Sequence, residues 1–103
     1  MVNIIIYLKI DHNPRDLVTH LLKEKLIASA SIDENNIRFK MQNAVLIEEA
    51  FNVITSQSKA LLFDNIVVEV ERKIGEHVAI YSTPIVGANG FFQDTVKTKT
   101  ISI

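Results

Sequence analysis

NPRDLVTHLLKEKLIASASI, residues 13–32, is the most informative segment of the sequence, because it predicts a capped helix that leads directly into a strand. Asn13 is a favourable N-cap, since its side-chain oxygen can accept hydrogen bonds from the free amides of the first turn. Pro14 suits the first helical position, where no amide hydrogen is needed. Apolar residues then recur at helical spacing, namely Leu17, Val18, Leu21, Leu22 and Leu26. The sequence therefore predicts an amphipathic helix to about residue 26, followed by a strand of small residues.

Strands are predicted on both sides of this helix. Residues 1–10 are rich in isoleucine, with apolar side chains at both parities, a pattern typical of a central strand covered on both faces. Residues 27–41 are predicted to form a long second strand. Polar residues that are uncommon in strands interrupt it at residues 33–36, so we expect a bulge or local irregularity there.

A hairpin connects the second strand to the third. Asn43 tolerates positive φ, which favours a turn at residues 42–44. Residues 45–55 then return as the third strand. With the turn centred there, Arg38 falls opposite Glu49, and we expect a favourable cross-strand ion pair.

The second half of the chain repeats the strand–helix–strand order. Residues 56–58, Ser-Gln-Ser, are predicted to cap a second helix over residues 59–74. Its apolar stripe comprises Ala60, Phe63, Ile66, Val67, Val70 and Ile74. Gly75 occupies the position of a left-handed C-cap. A fourth strand is predicted over residues 76–86, with Pro84 marking its end as an edge or bulge.

A short appendix follows the fourth strand. Residues 87–90 form a loop, and residues 91–97 are predicted to form a short helix anchored by Phe91, Phe92 and Val96. The alternating tail KTKTISI is predicted to add a final edge strand.

The element order β-α-β-β-α-β predicts an α+β fold of the ferredoxin-like type, with the helix/strand appendix at its C-terminus. Right-handed crossovers with a hairpin between them give a four-stranded antiparallel sheet with both helices on one face. The other face is then bare, and the apolar residues expected on it include Ile27, Phe39, Met41, Val45 and Ile47. We therefore expect that other subunits cover this face.

Length and composition describe one globular domain spanning residues 1–103. The net charge of −1, from 11 basic and 12 acidic residues, lacks the basic excess of a nucleic-acid binder. The absence of cysteine excludes disulfides, thiolate catalysis and cysteine zinc sites. The apolar run IIIYLKI has no leader-like flanks and is far shorter than the ~20 residues of a membrane span. We therefore expect a cytoplasmic protein with no membrane partner.

Few residues suggest chemistry, and no pattern indicates an enzyme. His12, His20 and His77 are the only imidazoles, and none has another histidine at metal-ligand spacing. His20 is predicted to contact the residue four positions later, Glu24, on the helix surface. The adjacent carboxylates Glu48 and Glu49 point to opposite faces of a strand, so they form no catalytic pair. The loop over residues 87–90 lacks the lysine and the glycine spacing of a phosphate-binding loop.

RNA-recognition modules share this element order and form the rival class. They carry stacking aromatic residues on the first and third strands and a basic third-strand signature. Here the first strand offers only Tyr7, and the third strand contains Glu48 and Glu49, which would repel phosphate. This pattern disfavours RNA binding.

The sequence resembles the CutA family of divalent-cation tolerance proteins over residues 2–98. The resemblance is carried by three segments: LLKEKLIASASI at residues 21–32, IEEAFNVITS at residues 47–56 and STPIVGANGFF at residues 82–92. The first is similar to the family's Leu-(x)₄-Leu-Ala-Ala-Cys-x-x-Ile segment, and the third to its Pro-Ile-x-x-Gly-Asn-x-x-Tyr ending.

The resemblance implies a homotrimer of ferredoxin-like subunits, similar to the PII signalling proteins, with metal or small-ligand sites in the clefts between subunits. It implies a divalent ion, copper or zinc, with Glu76 and His77 as the candidate ligands. Some family residues differ here: Ser29 stands where the family often has cysteine, and KIGE at residues 73–76 replaces His-Pro-Tyr-Glu. The alternative is therefore a PII-like small-ligand or protein-interaction module that has lost the metal site.

Overall fold

The computed structural model describes residues 1–103 and has the predicted α+β architecture. Its strands are β1, Val2–Lys9; β2, Ser29–Gln42; β3, Val45–Ser58; and β4, Ala79–Pro84. Its helices are α1, Pro14–Lys23; α2, Phe63–Ile74, which follows a short 3₁₀ helix at Ala60–Leu62; and α3, Gly90–Lys99. None of these helices is long and apolar enough to cross a bilayer.

The four strands form one antiparallel sheet in the order β2-β3-β1-β4. β1 lies in the interior, where Ile6 pairs with Ile54 of β3 and with Ile80 of β4. β4 pairs with β1 alone, so its terminal residue Pro84 lies on an edge strand, as its missing amide requires. This order is that of the ferredoxin-like fold, which confirms the predicted fold class.

The hydrophobic core lies between the sheet and the two long helices. Alternate residues of β1 are buried, and they pack with residues of β3, α1 and α2: Val2, Ile4, Ile6, Leu8, Leu17, Leu21, Ile54, Ile66 and Val70. Each such aliphatic side chain contributes about 1.5–3 kcal/mol when it leaves water. Both helices therefore cover the same face of the sheet, as the crossovers predict.

Helix α1 begins as predicted and ends earlier than predicted. The Asn13 Oδ1 atom accepts hydrogen bonds from the amides of Arg15 and Asp16, at 2.9 and 3.2 Å. At the other end Lys25 has φ of 56°, and the Leu26 amide donates to a carbonyl five residues earlier. This is a Schellman arrangement, in which a left-handed residue stops the helix and closes its last turn. Leu26 remains buried although it lies outside the helix.

The predicted cap of the second helix is wrong. Residues 56–58 belong to β3, where the Ser56 hydroxyl donates to the Ile4 carbonyl and the Ser58 hydroxyl donates to the Leu26 carbonyl, at 3.1 and 2.6 Å. These buried serines tie β3 to neighbouring backbone. The helix starts instead through the 3₁₀ turn, without a side-chain cap. Its C-cap is as predicted, with Gly75 at φ of 86°.

The hairpin between β2 and β3 has the predicted register. Arg38 lies opposite Glu49, and the turn residues Asn43 and Ala44 both have positive φ, 52° and 61°. The predicted irregularity is also present, as a register shift between Asp33 and Asn36. The outer part of the hairpin extends past the pairing with β1, because β1 pairs with β3 only from residue 51 onward.

The apolar residues expected on the bare face do not share one face. Ile27 is buried in the core. Phe39 and Met41 lie opposite Glu48 and Leu46 of β3. Their side chains are on the face of the hairpin that continues the helix-covered face of the sheet. Val45 and Ile47 lie on the opposite side. The bulge explains the error, because β2 gains one residue against β3 there and every later side chain changes face.

The C-terminal appendix is a helix without the predicted strand. Val96 anchors α3 in the protein as expected, but Phe91 is 73% exposed and anchors nothing. The last three residues form no strand, although the Ile101 amide donates to the Lys25 carbonyl at 2.9 Å. The Ile101 carbonyl also accepts a hydrogen bond from Lys59 Nζ at 2.7 Å. These two hydrogen bonds hold the tail, instead of a ladder along a sheet edge.

Candidate functional site

A cleft opens where β1 ends and the chain enters β4. Its cavity has a volume of about 200 Å³. We name it the His12 cleft; its lining residues include Tyr7, Lys9, His12, Phe51, Glu76 and His77. Chain order explains the assembly: His12 lies in the loop after β1, Glu76 and His77 lie in the loop before β4, and β1 pairs with β4.

Glu76 is held by a lysine of its own chain. The Lys9 Nζ atom lies 3.0 Å from Glu76 Oε1, and both side chains are partly exposed. The hydrogen bond with Lys9 lowers the pKa of Glu76 below its usual value and raises that of Lys9. The carboxylate is therefore ionised and already paired with a cation.

His12 is the imidazole nearest to Glu76. Its Nε2 atom lies 3.8 Å from Glu76 Oε2 and 3.9 Å from the Asp11 carboxylate, too far for a hydrogen bond to either. This nitrogen is buried and has no hydrogen-bond partner in the chain. It is a polar atom that a bound group could satisfy.

His77 has a different partner from Glu76. Its Nδ1 atom lies 3.0 Å from Glu71 Oε2, which also accepts a hydrogen bond from the Val78 amide at 3.0 Å. The Val78 amide and then His77 lower the pKa of Glu71. The His77 ring itself is fully exposed. Thus Glu76 and His77 line the same cleft, but each pairs with another residue.

The residues of one chain do not form a complete divalent-cation site. No group of three or more metal-binding side chains converges anywhere in the chain. A zinc site normally uses three or four protein ligands, and a single carboxylate already bound by lysine falls short of that. The pair Glu76 and His77 therefore stays a prediction, and it would need ligands from another subunit.

Sequence reasoning missed the roles of Lys9 and His12. The ferredoxin-like fold itself contains a signal for Lys9, because this fold places β1 beside β4. In the structure Tyr7 is opposite Ala79, so two further residues bring Lys9 beside residue 77. The orphan nitrogen of His12 has no such signal, because it depends on how the loop after β1 folds.

His20 makes a different contact from the predicted one. Its Nε2 atom lies 2.6 Å from Glu69 Oε1 on α2, instead of contacting Glu24 on its own helix. Arg72 also binds Glu69. Arg72 and then His20 lower the pKa of Glu69 to about 2. This network joins the two long helices and lies away from the His12 cleft.

An aromatic cluster lies on the open face of the sheet, beside the cleft. Tyr7 packs edge-on against Phe51 and stacks with Tyr81, with ring centroids 6.2 and 6.1 Å apart. The Arg38 guanidinium lies 4.0 Å from the centre of the Tyr7 ring, which is a cation–π contact. The predicted ion pair between Arg38 and Glu49 is therefore wrong although their register is right, because Lys40 binds Glu49 instead.

Solved structures of CutA proteins have the same fold. CutA1 from Oryza sativa matches with a TM-score of 0.87 at 16% identity, covering 99% of this chain and 94% of that chain. CutA1 from Pyrococcus horikoshii matches with a TM-score of 0.84 at 17% identity, covering 99% and 100%. The periplasmic divalent cation tolerance protein CutA from Archaeoglobus fulgidus matches with a TM-score of 0.81 at 19% identity, covering 96% and 98%.

No protein-family model matches the sequence, and no curated protein matches it. The structural likeness nevertheless extends over nearly the whole of both chains, helices and sheet included. At these identities such a likeness establishes the fold. The fold that the resemblance implies is thus confirmed: the chain has the fold of the CutA1 structures over nearly its whole length.

Proposed function

We propose that this chain is a non-enzymatic, CutA-like protein of the divalent-cation response that assembles as a homotrimer. The observation that carries the proposal is the agreement with CutA1 structures over nearly every residue of both chains. Solved relatives of the same fold, from Thermus thermophilus and Archaeoglobus fulgidus, are described as divalent cation tolerance proteins.

Unpartnered apolar surface supports the assembly. Large apolar side chains remain exposed on the open sheet face and on the hairpin: Ile37, Phe39, Met41, Val45, Leu46 and Tyr81. A monomer rarely leaves so much apolar surface in contact with water. Copies of the chain that pack on this face and around the hairpin would bury it.

The cation site in this proposal lies where Glu76 and His77 meet a neighbouring subunit. Imidazole and carboxylate groups suit zinc or copper. Both residues line a cleft at the rim of the sheet, and His77 presents a fully exposed ring. A second subunit would have to supply the remaining ligands, since one chain does not hold three.

Calorimetric titration with zinc and with copper tests the proposal. We expect the wild-type protein to bind either ion, and His77→Ala and Glu76→Gln to weaken that binding at least tenfold. His20→Ala is the matched control, because His20 pairs with Glu69 outside the cleft. Equal heats for the wild type and all three variants would refute Glu76 and His77 as ligands, and no heat at all would refute cation binding.

One observation favours a second candidate, a PII-like module for a small ligand or a protein partner. Both cleft residues already pair within the chain, Glu76 with Lys9 and His77 with Glu71. In this case the protein would keep the trimer and bind no metal. A trimer that binds neither zinc nor copper but binds another molecule in the cleft would support this second candidate.

A further inference from the structure

The gap between His12 and Glu76 fits one bridging oxygen atom. The 3.8 Å between His12 Nε2 and Glu76 Oε2 is too long for a direct hydrogen bond. An oxygen about 2.8 Å from both atoms would complete hydrogen bonds to each. The buried nitrogen has no other partner in the chain, so such an oxygen would satisfy it.

The two flanking groups define what that oxygen must be. An ionised carboxylate only accepts hydrogen bonds, and Lys9 keeps Glu76 ionised through the contact at 3.0 Å. The bridging group must therefore donate to Glu76. It can then accept from His12 Nε2, provided that this nitrogen carries the proton. A hydroxyl group does both, whereas a carboxylate or phosphate would be repelled by Glu76.

The cavity beside this position has the size of one aromatic ring. Its volume is about 200 Å³, and most of its lining residues are apolar, the aromatic residues Tyr7 and Phe51 among them. An apolar protein cavity of about 150 Å³ is large enough to bind benzene. A ring with one small substituent therefore fits, and its edge or face can pack against the aromatic wall.

We propose that the His12 cleft binds a single-ring phenolic molecule, with the ring against Tyr7 and Phe51 and the hydroxyl bridging His12 and Glu76. This site goes beyond cation binding, because it uses an imidazole that the cation proposal does not use. It also gives the in-chain pair of Lys9 and Glu76 a role, since that pair orients the carboxylate toward the hydroxyl.

The test uses phenol as the probe, on wild-type protein with ¹³C-labelled histidine, in the presence of chelator. We expect phenol to shift the His12 ring signal in a saturable manner and to leave the His20 signal unchanged. Toluene has the same shape without the hydroxyl, so it should reach the cavity without shifting His12 in the same direction. Binding in chelator separates this result from the outcome of the metal titrations.

Two variants make the test specific. His12→Leu keeps an apolar wall and removes the hydrogen bond, so the ratio of phenol affinity to toluene affinity should fall about fivefold or more. His20→Leu is the matched control and should leave this ratio unchanged. The proposal is overturned if phenol shifts no His12 signal up to its solubility, or if His12→Leu leaves the ratio as in the wild type. A bound water that phenol does not displace would give the first of these results.

Discussion

Lys9 Nζ lies 3.0 Å from Glu76 Oε1, so the ammonium group of a β1 residue already pairs with the carboxylate that we propose as a metal ligand. The contact lowers the pKa of Glu76 and raises that of Lys9, as expected for two groups that stabilise each other's charge. A divalent ion that binds Glu76 must therefore displace or tolerate this ammonium group.

Lys9→Met should tighten the binding of zinc at Glu76. Methionine keeps the apolar stem and removes the competing charge, and partly exposed pairs of this kind correspond to about two- to fivefold in affinity. Calorimetric titration of both proteins with zinc measures the change. Lys40→Met is the matched control, because it frees Glu49 on the hairpin, away from the cleft. Unchanged or weaker binding in Lys9→Met would contradict competition by lysine.

Glu69 should make folding sensitive to acid. Its pKa is lowered to about 2 from an ordinary value of 4.5, first by Arg72 and then by His20. A lowered folded-state pKa contributes stability that is fully present above pH 4.5 and is lost as the pH falls toward 2. Glu69→Gln should therefore flatten the loss of stability between these two pH values.

Urea unfolding of the wild type and Glu69→Gln at several pH values from 6 to 2 measures this effect. Glu48→Gln is the control, since Glu48 is exposed and forms no ion pair within the chain. If the free energy of unfolding of the wild type falls with pH no more steeply than that of Glu69→Gln, the network between the helices does not contribute to acid sensitivity.

Local sequence signals predicted most of the fold, because each depends on only a few adjacent residues. Asn13, Gly75 and the turn at Asn43 have the predicted roles, since caps and turns are decided by short-range backbone chemistry. The register of Arg38 opposite Glu49 followed from the position of that turn.

The wrong predictions concern side chains whose contacts are made with residues far away in the sequence. Ser58 looks like a helix cap in sequence, but its hydroxyl donates to the Leu26 carbonyl, 32 residues away. Arg38 lies over the ring of Tyr7, and Glu49 pairs with Lys40 instead. His12 likewise lies beside Glu76 because the loop after β1 packs against the loop before β4. Such contacts require the folded arrangement and leave no mark in a local pattern.

Leu21→Ala should destabilise the protein strongly. Leu21 is fully buried in the core that α1 forms with the sheet. Truncation of a buried leucine removes apolar contacts and leaves a cavity, at a cost of about 2–5 kcal/mol in the free energy of unfolding. Chemical denaturation measures it. Leu61→Ala is the control, because Leu61 is 79% exposed and its truncation should change stability by less than about 0.5 kcal/mol.

Ala44→Gly should stabilise the hairpin. Ala44 has φ of 61°, a left-handed conformation in which the Cβ atom is crowded. Glycine removes that strain and creates an Asn-Gly turn, the preferred pair for a two-residue hairpin with positive φ at both positions. We expect a gain of about 1 kcal/mol in the free energy of unfolding, measured by denaturation. Ala50→Gly, in the interior of β3, should instead lose about 0.5–1 kcal/mol, and a loss in Ala44→Gly as well would contradict this account.

The native particle should have three times the subunit mass of 11.6 kDa. Tyr81 is on the open sheet face and is 46% exposed in the single chain, so a trimer that covers this face would bury it. Light scattering at micromolar protein, with and without chelator, measures the mass. Tyr81→Glu would place a charge in the buried contact and should shift the mass toward that of the monomer. Leu61→Glu, on the helix side of the molecule, should leave the trimer intact. A wild-type monomer would refute the trimer, and a trimer lost only with chelator would mean that metal, instead of the sheet face, joins the subunits.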